Sequence, residues 1–227
     1  EISKKNISLN YKVDLKKFQV SPVGISLKSD KKFILKIIEK KTNDKFFTIL
    51  FIGRFEKQKN LSLWIETAFL ILKKNSNIRF KLIGYGSEKI KIINIIKKSK
   101  YIKNFELIDK VNYQDLPSFI NKSHLLLLTS YYEGFGRVVL EAMTFGLPCI
   151  STKSGGPEDL ITNDHNGFIV NKNNSQVLAK KALFLIENRN EYKKMSINSL
   201  ELAKETFNFE TISNRLINLI IFAIKNK

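Results

Sequence analysis

The chain has 227 residues, and its 39 Lys and Arg against 21 Asp and Glu give a formal net charge of +18 at pH 7. A hydrophobic content of 43%, with 17 Phe, excludes a disordered chain and is enough for a substantial core. The single cysteine, Cys149, excludes a disulfide framework and indicates a reducing compartment, and no apolar run approaches the roughly 20 residues of a membrane span.

The excess of positive charge favours anionic partners such as nucleic acid, an acidic membrane or phosphorylated ligands. A composition rich in Lys, Asn and Ile could equally produce this charge without a functional demand. The basic stretch at 97–100 lacks the interleaved aromatic residues of single-strand binders, so no nucleic-acid partner is expected. The chain starts at Glu1 without an initiator Met or a signal peptide, which we interpret as a fragment or a trimmed chain.

Residues 1–44 are polar and lysine-rich, and we predict a linker or the remnant of a preceding domain there, with a turn at 21–25 and a short helix at 33–38. From residue 45 onward, apolar runs alternate with amphipathic stretches. The predicted strands are 46–52, 79–83, 105–108, 124–129, 149–152 and an edge strand at 167–170. The predicted helices are 61–74, 88–98, 115–120, 137–145, 175–187, 191–205 and 209–224. This alternation predicts an α/β fold with a doubly wound, Rossmann-like parallel sheet in one domain at 45–227, which includes the terminal helices.

Three helix starts carry residues typical of N-caps: Asn60, Ser87 and Asp115. The apolar residues of the last helix, at 209–224, are more typical of a core than of a membrane-binding face.

Three loops follow predicted strands and should meet at the carboxyl edge of the sheet. The first contains Gly53 and Arg54 with Lys59, the second is 84–86, and the third is 133–136. Cations and backbone amides suit a diphosphate, and carboxylates suit sugar hydroxyls, so together the loops describe a nucleotide-sugar site. Each residue taken alone is more typical of a solvated surface or a tight turn, and a loop carboxylate such as Glu133 is usually solvated.

Glu141 is the only acid in a helix whose other residues leave no polar face, so this helix should be buried on most sides. A carboxylate there needs a partner. Arg137, four residues earlier on the same face, is one candidate, and a ligand hydroxyl is the other.

The sequence lacks the motifs of metal sites, serine hydrolases and phosphate-binding Walker loops. His124 and His165 have no Cys or acidic partners at the spacing of metal ligands, so both are interpreted as structural and no metal site is expected. The sequence contains no Gly-x-Ser-x-Gly elbow and no Walker loop.

Taken together, these motifs resemble those of retaining family 4 (group 1) glycosyltransferases. The run from Glu133 to Met143 is similar to the E-x7-E signature of that family. Agreement extends over most of the chain, through 21–25, Gly53-Arg54 with Lys59-Asn60, Gly84-x-Gly86, Gly146-x-Pro148, 155–158 and 166–170. The resemblance implies the carboxyl-terminal, donor-binding half of a two-domain GT-B enzyme that transfers a sugar from a nucleotide diphosphate sugar with retention.

The resemblance also implies residue roles. By matching position, Arg54 and Lys59 would hold the diphosphate, Glu133 the transferred sugar, and Glu141 the ribose hydroxyls. The remaining donor-binding positions are Gly53, Gly84, Gly86, Lys110, Val111, Gly134, Phe135, Gly136, Arg137 and Val138, with the backbone near Lys110-Val111 meeting the base. No cofactor and no metal are implied. The sequence departs from the family pattern at Asn60, where Gly is common, at 129–130, and at His124, where an acidic residue is usual.

The implied partners are a nucleotide diphosphate sugar, the amino-terminal GT-B domain that this chain lacks and, from the charge, an anionic membrane surface. The expected location is cytoplasmic, at the inner membrane face, in cell-surface glycan or glycolipid synthesis, and the chain alone is expected to be inactive. Two alternatives stay open: a basic binding module for nucleic acid or anionic membrane, and a non-catalytic glycosyltransferase partner subunit.

Overall fold

The computed structural model describes residues 24–25, 30–171 and 174–225 of the chain. The predicted turn at 21–25 lies mostly outside these residues. The strands are β1 (Phe47–Ile52), β2 (Ile78–Ile83), β3 (Phe105–Ile108), β4 (Leu125–Leu128), β5 (Cys149–Thr152) and β6 (Gly167–Val170). The helices are α1 (Lys31–Thr42), α2 (Leu61–Lys74), α3 (Lys89–Lys97), α4 (Leu116–Asn121), α5 (Arg137–Met143), α6 (Ser175–Glu187), α7 (Arg189–Thr206) and α8 (Phe209–Lys225).

The six strands form one parallel sheet in the order β3-β2-β1-β4-β5-β6. This order confirms the predicted doubly wound sheet and places β6 at an edge. The chain winds outward from β1 through β2 to β3 and then returns to the other side of β1 as β4. The strand order therefore reverses between β1 and β4, and the carboxyl edge at such a reversal is where ligands bind in open α/β sheets.

The central strands are nearly continuous apolar runs because helices cover both faces of a parallel sheet. All four residues of β4 are buried. Trp64 of α2 is fully buried, and its indole N–H donates to the carbonyl of Leu127 at 2.9 Å. This bond satisfies the one polar group of a large apolar side chain and fixes α2 on β4.

The segment that was predicted to be a linker contacts the end of the domain. The predicted short helix is the twelve-residue helix α1, whose Ile34 and Ile38 pack with Leu200 of α7 in a small second core. The N–H of Ile25 donates to the carbonyl of Phe207 at 2.8 Å, which ties this segment to the end of α7. The division of the chain at residue 44 stays a prediction.

The helix caps were predicted with mixed success. The Asn60 side chain accepts a hydrogen bond from the N–H of Leu63, which confirms this cap. The prediction for Ser87 is wrong, because its hydroxyl donates instead to a carboxylate oxygen of Glu56 at 2.7 Å and α3 starts without a side-chain cap. Asp115 stands at the start of α4 as predicted, but its side chain makes no capping hydrogen bond.

The last helix departs from the sequence prediction. Leu216 and Ile220 of α8 are 48% and 52% exposed, so the expectation that this face lies in the core is wrong for the described residues. The amphipathic period is right, but no described element covers the apolar face. No helix in the described part of the chain combines the length and apolarity needed to cross a membrane.

Candidate functional site at the carboxyl edge of the sheet

The three glycine-containing loops follow β1, β2 and β4, which are adjacent strands, so they lie side by side at the carboxyl edge as predicted. Side-chain and backbone bonds join the loops after β1 and β4. The Gln58 side chain donates to the carbonyl of Tyr132 at 2.6 Å, and the N–H of Tyr131 donates back to the carbonyl of Gln58 at 2.9 Å. The Thr129 hydroxyl donates to the carbonyl of Lys59 at 3.0 Å. These bonds hold the two loops in one arrangement.

The centre of the site is an ion pair between Lys59 and Glu133. The lysine Nζ lies 2.6 Å from Oε1 of the glutamate, and the side chains are only 14% and 9% exposed. The hydroxyl of Ser130 donates to the same oxygen at 2.5 Å. Glu133 is therefore not the solvated carboxylate that is usual for a loop. A charge this far from water needs a counterion and hydrogen bonds, and the β1 loop supplies the counterion.

The backbone of Glu133 is fixed as firmly as its side chain. Its N–H donates to the carbonyl of Ser154 at 2.7 Å, and its carbonyl accepts from the N–H of Gly156 at 3.0 Å. A Cβ on Gly156 would lie 2.3 Å from the carbonyl carbon of Phe135, so only glycine fits there. The loop after β5 thus packs directly against the backbone of the 133–136 loop. This close contact explains the Gly-Gly pair that follows β5.

Two glycines of the second loop are explained by packing between loops. A Cβ on Gly84 would lie 1.9 Å from the carbonyl oxygen of Gly53, and one on Gly86 would lie 2.5 Å from the carbonyl oxygen of Phe55. Both glycines have positive φ, 154° and 150°. The family resemblance assigns both glycines to donor binding. The structure shows close approach of the β1 loop to them, and contact with a ligand stays a prediction.

Arg54 differs from Lys59 in its surroundings. Its side chain is exposed at the edge of the site, and no hydrogen bond or ion pair described for this structure involves it. Its charge helps to lower the pKa of Glu56, but its planar fork of donors makes no described hydrogen bond and is available to a ligand.

The 133–136 loop leads into a short helix. Gly134 is exposed, and a Cβ on it would have nothing within 4 Å, whereas Gly136 has a φ of 79°. Phe135 and Val138 are partly buried against the main core. Helix α5 ends at Met143, two residues before the predicted end, and its residues Val139, Leu140, Ala142 and Met143 are buried, which confirms the predicted burial on most sides.

Glu141 has the protein partner that the sequence suggested and one that it did not. Nε of Arg137 donates to Oε1 of Glu141 at 3.0 Å, and the Tyr113 hydroxyl donates to the same oxygen at 3.1 Å. Nη2 of Arg137 donates to the Tyr113 hydroxyl at 3.1 Å. This bond, together with the charge of Glu141, raises the pKa of Arg137. Tyr113 has no motif that could have revealed it, because its role depends on where the loop after β3 meets α5.

A groove of about 490 Å³ lies beside this triad. Its lining comes from the loop after β3 and from α4: Lys110, Val111, Asn112, Asp115, Ser118 and Phe119. The family resemblance places the base near Lys110 and Val111, and the groove has room for a planar ring there.

The histidines lie away from this site. His124 is buried before β4, where its Nδ1 accepts from the N–H of Thr48 at 3.1 Å. Burial, with the nearby charges of Lys41 and Arg189, lowers the pKa of His124 to about 3, so the ring is neutral. Within the described residues, no group of three His, Cys, Asp or Glu side chains could hold a metal ion.

Comparison with known proteins shows which family the chain is similar to. The family described as glycosyl transferases group 1 matches residues 32–201. An uncharacterized glycosyltransferase of Methanocaldococcus jannaschii is 34% identical over 156 residues, 69% of this chain and 43% of that protein. A capsular polysaccharide biosynthesis glycosyltransferase of Staphylococcus aureus is 29% identical over 75% of this chain and 44% of that protein. The chain therefore spans less than half the length of these relatives.

Solved structures show the same fold. The carboxyl-terminal domain of a glycosyl transferase group 1 family protein from Francisella tularensis matches with a TM-score of 0.69 and 25% identity, over 82% of this chain and all of that domain. The HepE protein of Anabaena, in complex with UDP and glucose, matches with a TM-score of 0.79 and 21% identity, over 96% of this chain and 60% of that protein.

Proposed function

Since this chain belongs to the group 1 glycosyltransferase family, we propose that it is the carboxyl-terminal, donor-binding domain of a retaining GT-B enzyme. The enzyme transfers a hexose-type sugar from a nucleotide diphosphate sugar to an acceptor hydroxyl. The observation that carries the proposal is the buried pair of Lys59 and Glu133, which joins a cation of the β1 loop to a carboxylate of the β4 loop at the strand reversal. One ligand that carries a diphosphate and a sugar can contact both charged side chains.

The diphosphate is assigned to Arg54 and Lys59. Departure of a nucleoside diphosphate develops negative charge on its terminal phosphate, and preorganised cations stabilise that charge in the transition state. The Arg54 guanidinium can bind a phosphate group bidentately. Lys59 is a fixed positive charge beside Glu133, the carboxylate assigned to the transferred sugar. No cofactor and no metal are assigned to the reaction.

The transferred sugar is assigned to Glu133 and to the backbone of Phe135 and Gly136. Glu133 keeps one carboxylate oxygen, Oε2, free of the hydrogen bonds described for Oε1, so it can accept from a sugar hydroxyl. The family resemblance implies that the acceptor hydroxyl attacks on the face from which the diphosphate leaves, with the leaving phosphate taking the proton.

The nucleoside is assigned to Glu141 and to the groove at Lys110 and Val111. Glu141 would accept from the ribose hydroxyls, and the groove of about 490 Å³ would take the base. The complex of HepE with UDP and glucose supports this class of ligand, since that protein has the same fold.

The acceptor and the remaining half of the catalytic cleft belong to an amino-terminal domain. The shared fold with a separately solved carboxyl-terminal domain supports this division, and so does the length of the relatives. We expect the chain alone to be inactive. The capsular polysaccharide relative supports a role in cell-surface glycan or glycolipid synthesis, at the inner membrane face, where the +18 charge suits an anionic surface.

Calorimetry on the 227-residue chain with UDP, GDP and ADP tests the proposal. We expect at least one of them to bind, and Arg54→Met to weaken that binding about 10-fold or more, since a charge-assisted bond contributes about 1.5–3 kcal/mol. Lys57→Met, which removes an exposed cation from the same loop, is the matched control and should bind normally. No binding of any of the three at millimolar concentration, or equal binding by both variants, would refute the assignment.

A further inference from the structure

A second polar cluster is buried on the opposite edge of the sheet. It consists of Lys41 from α1, His124 before β4, and Arg189, Tyr192 and Ser196 from α7, and we call it the Lys41 cluster. It lies at the amino ends of β1 and β4, whereas the donor site lies at their carboxyl ends. The side chains of Lys41, His124, Tyr192 and Ser196 are at most 4% exposed.

Aromatic contacts hold the cluster together around Phe47. The ring centroid of Phe47 lies 4.9 Å from that of His124 and 5.4 Å from that of Tyr192. The guanidinium of Arg189 lies 4.9 Å from the same centroid. Lys41 is near enough to His124 for its charge to lower the pKa of that ring. His124, Tyr192 and Arg189 therefore surround the Phe47 ring, with Lys41 close to His124 and Ser196 close to Tyr192.

Each of the five side chains has a buried polar atom that makes no hydrogen bond of normal geometry, although the Ser196 hydroxyl is near enough to that of Tyr192 to oppose the rise in the pKa of Tyr192. The buried side-chain atoms that lack a hydrogen bond in the described part of the chain include Nζ of Lys41, Nε2 of His124, Nη1 of Arg189 and the hydroxyl oxygens of Tyr192 and Ser196. Buried polar groups in folded proteins are nearly always paired, so this many in one place require an explanation.

All five of these atoms can donate. A charged lysine and an arginine carry donors only, and the two hydroxyls can donate by rotation. The N–H of Thr48 donates to Nδ1 of His124, so the proton of the neutral ring lies on Nε2. A water molecule here would find donors for its lone pairs but few acceptors for its own hydrogens. A guest with acceptors only, which means an anion, fits the set better.

The carboxylate of Asp44 does not pair with the unpaired donors of the cluster. Asp44 is the acid of the cluster, and its Oδ2 lies 3.3 Å from Nε2 of His124 without forming a hydrogen bond. The carboxylate has no ion pair with Lys41 or Arg189 among the described contacts, and Arg189 reaches only the backbone carbonyl of Asp44, at 3.3 Å. Two cations thus share one distant carboxylate.

We propose that the Lys41 cluster binds a small inorganic anion of about the size of chloride, held by Lys41 and Arg189 with the Tyr192 hydroxyl and Nε2 of His124. Asp44 and Arg189 are partly exposed, so the cluster lies close to the solvent. Burial lowers the pKa of Lys41 to about 7 in the protein alone, and a bound anion would keep this amine charged. The site would be structural, because it fixes α1 and α7 to the amino edge of the sheet.

Thermal unfolding of the 227-residue chain at constant ionic strength tests the site, with sodium chloride replacing sodium gluconate, whose anion is too large to enter. We expect the Tm to rise with chloride, by about 3–6 °C once chloride reaches ten times its Kd. Lys41→Met should abolish this rise, and Lys36→Met, which removes an exposed charge from the same helix, should preserve it. An equal chloride response in both variants, or none in the wild type, would overturn the proposal.

Two further measurements keep the test independent of any one variant. His124→Asp supplies a covalent carboxylate to the cluster and should remove the chloride response while the protein stays folded. Crystals grown with bromide in place of chloride should show an anomalous peak in contact with Nζ of Lys41 and Nη1 of Arg189. Water density alone at that position would refute the proposal.

Discussion

Replacing Lys41 with methionine should raise the stability of the protein at pH 7 and flatten the dependence of its stability on pH between 7 and 9. The Lys41 amine is buried, and burial lowers its pKa from 10.5 to about 7 because the charged form loses its water. Below pH 10.5 the unfolded chain binds this proton and the folded chain releases it above pH 7. The free energy of unfolding therefore rises with pH across this window.

The size of the effect follows from the two pKa values. At 1.36 kcal/mol for each unit between them, holding this lysine in the core costs about 4 kcal/mol at pH 7 and about 2 kcal/mol at pH 9. Burial also raises the pKa values of Cys149 and Tyr192, so above about pH 9 the unfolded chain loses protons that the folded chain keeps. Those groups oppose the rise, but Tyr192 does so only above pH 9, and Cys149 offsets less than about 1 kcal/mol of it by pH 9.

Urea unfolding followed by the fluorescence of the buried Trp64 measures this free energy. In gluconate medium, where no anion should occupy the cluster, the wild type should gain about 2 kcal/mol between pH 7 and 9. The same gain is expected for Lys36→Met, and Lys41→Met should show almost none. A wild-type stability that is flat or falls over this range would show that Lys41 is charged in the folded state, and the reasoning would be refuted.

Three other predictions concern the site and the sheet. Glu133→Gln should destabilise the protein by about 3 kcal/mol, because it leaves Lys59 buried without its counterion, and adding Lys59→Met should recover much of the loss; additive losses in urea unfolding would contradict this coupling. Gly84→Ala should lower the Tm far more than Gly134→Ala, because a Cβ at 84 meets backbone and one at 134 meets open space. Because the pKa of His124 is about 3, the free energy of unfolding should fall by about 2 kcal/mol from pH 6.5 to 4.5, where only the unfolded chain binds a proton at this residue. A pH titration of stability by circular dichroism measures this fall. His124→Gln should reduce it, and an unchanged fall in that variant would contradict the prediction.

The strands and most of the helices could be predicted because their signals are local. The apolar runs at β1 and β4 give buried strands, and the periodicity of α2 and α6 gives their bounds to the residue. Strict alternation of the two element types then leaves a parallel sheet as the economical arrangement. The errors arose where a local preference met a competing partner, as when the Ser87 hydroxyl bonded to Glu56 instead of capping α3.

The sequence by itself determined the α/β architecture and the three loops at the carboxyl edge, and it predicted which residues hold an anionic ligand there. It did so because periodicity, glycines and turn residues are read from neighbours in the chain. Only the tertiary structure decided that Lys59 and Glu133 form a buried pair, that Tyr113 joins Arg137 on Glu141, and that unpaired donors gather around Phe47. Lys59 and Glu133 are 74 positions apart, so their contact depends on the order of strands in the sheet and on the desolvation it imposes, which no local pattern encodes.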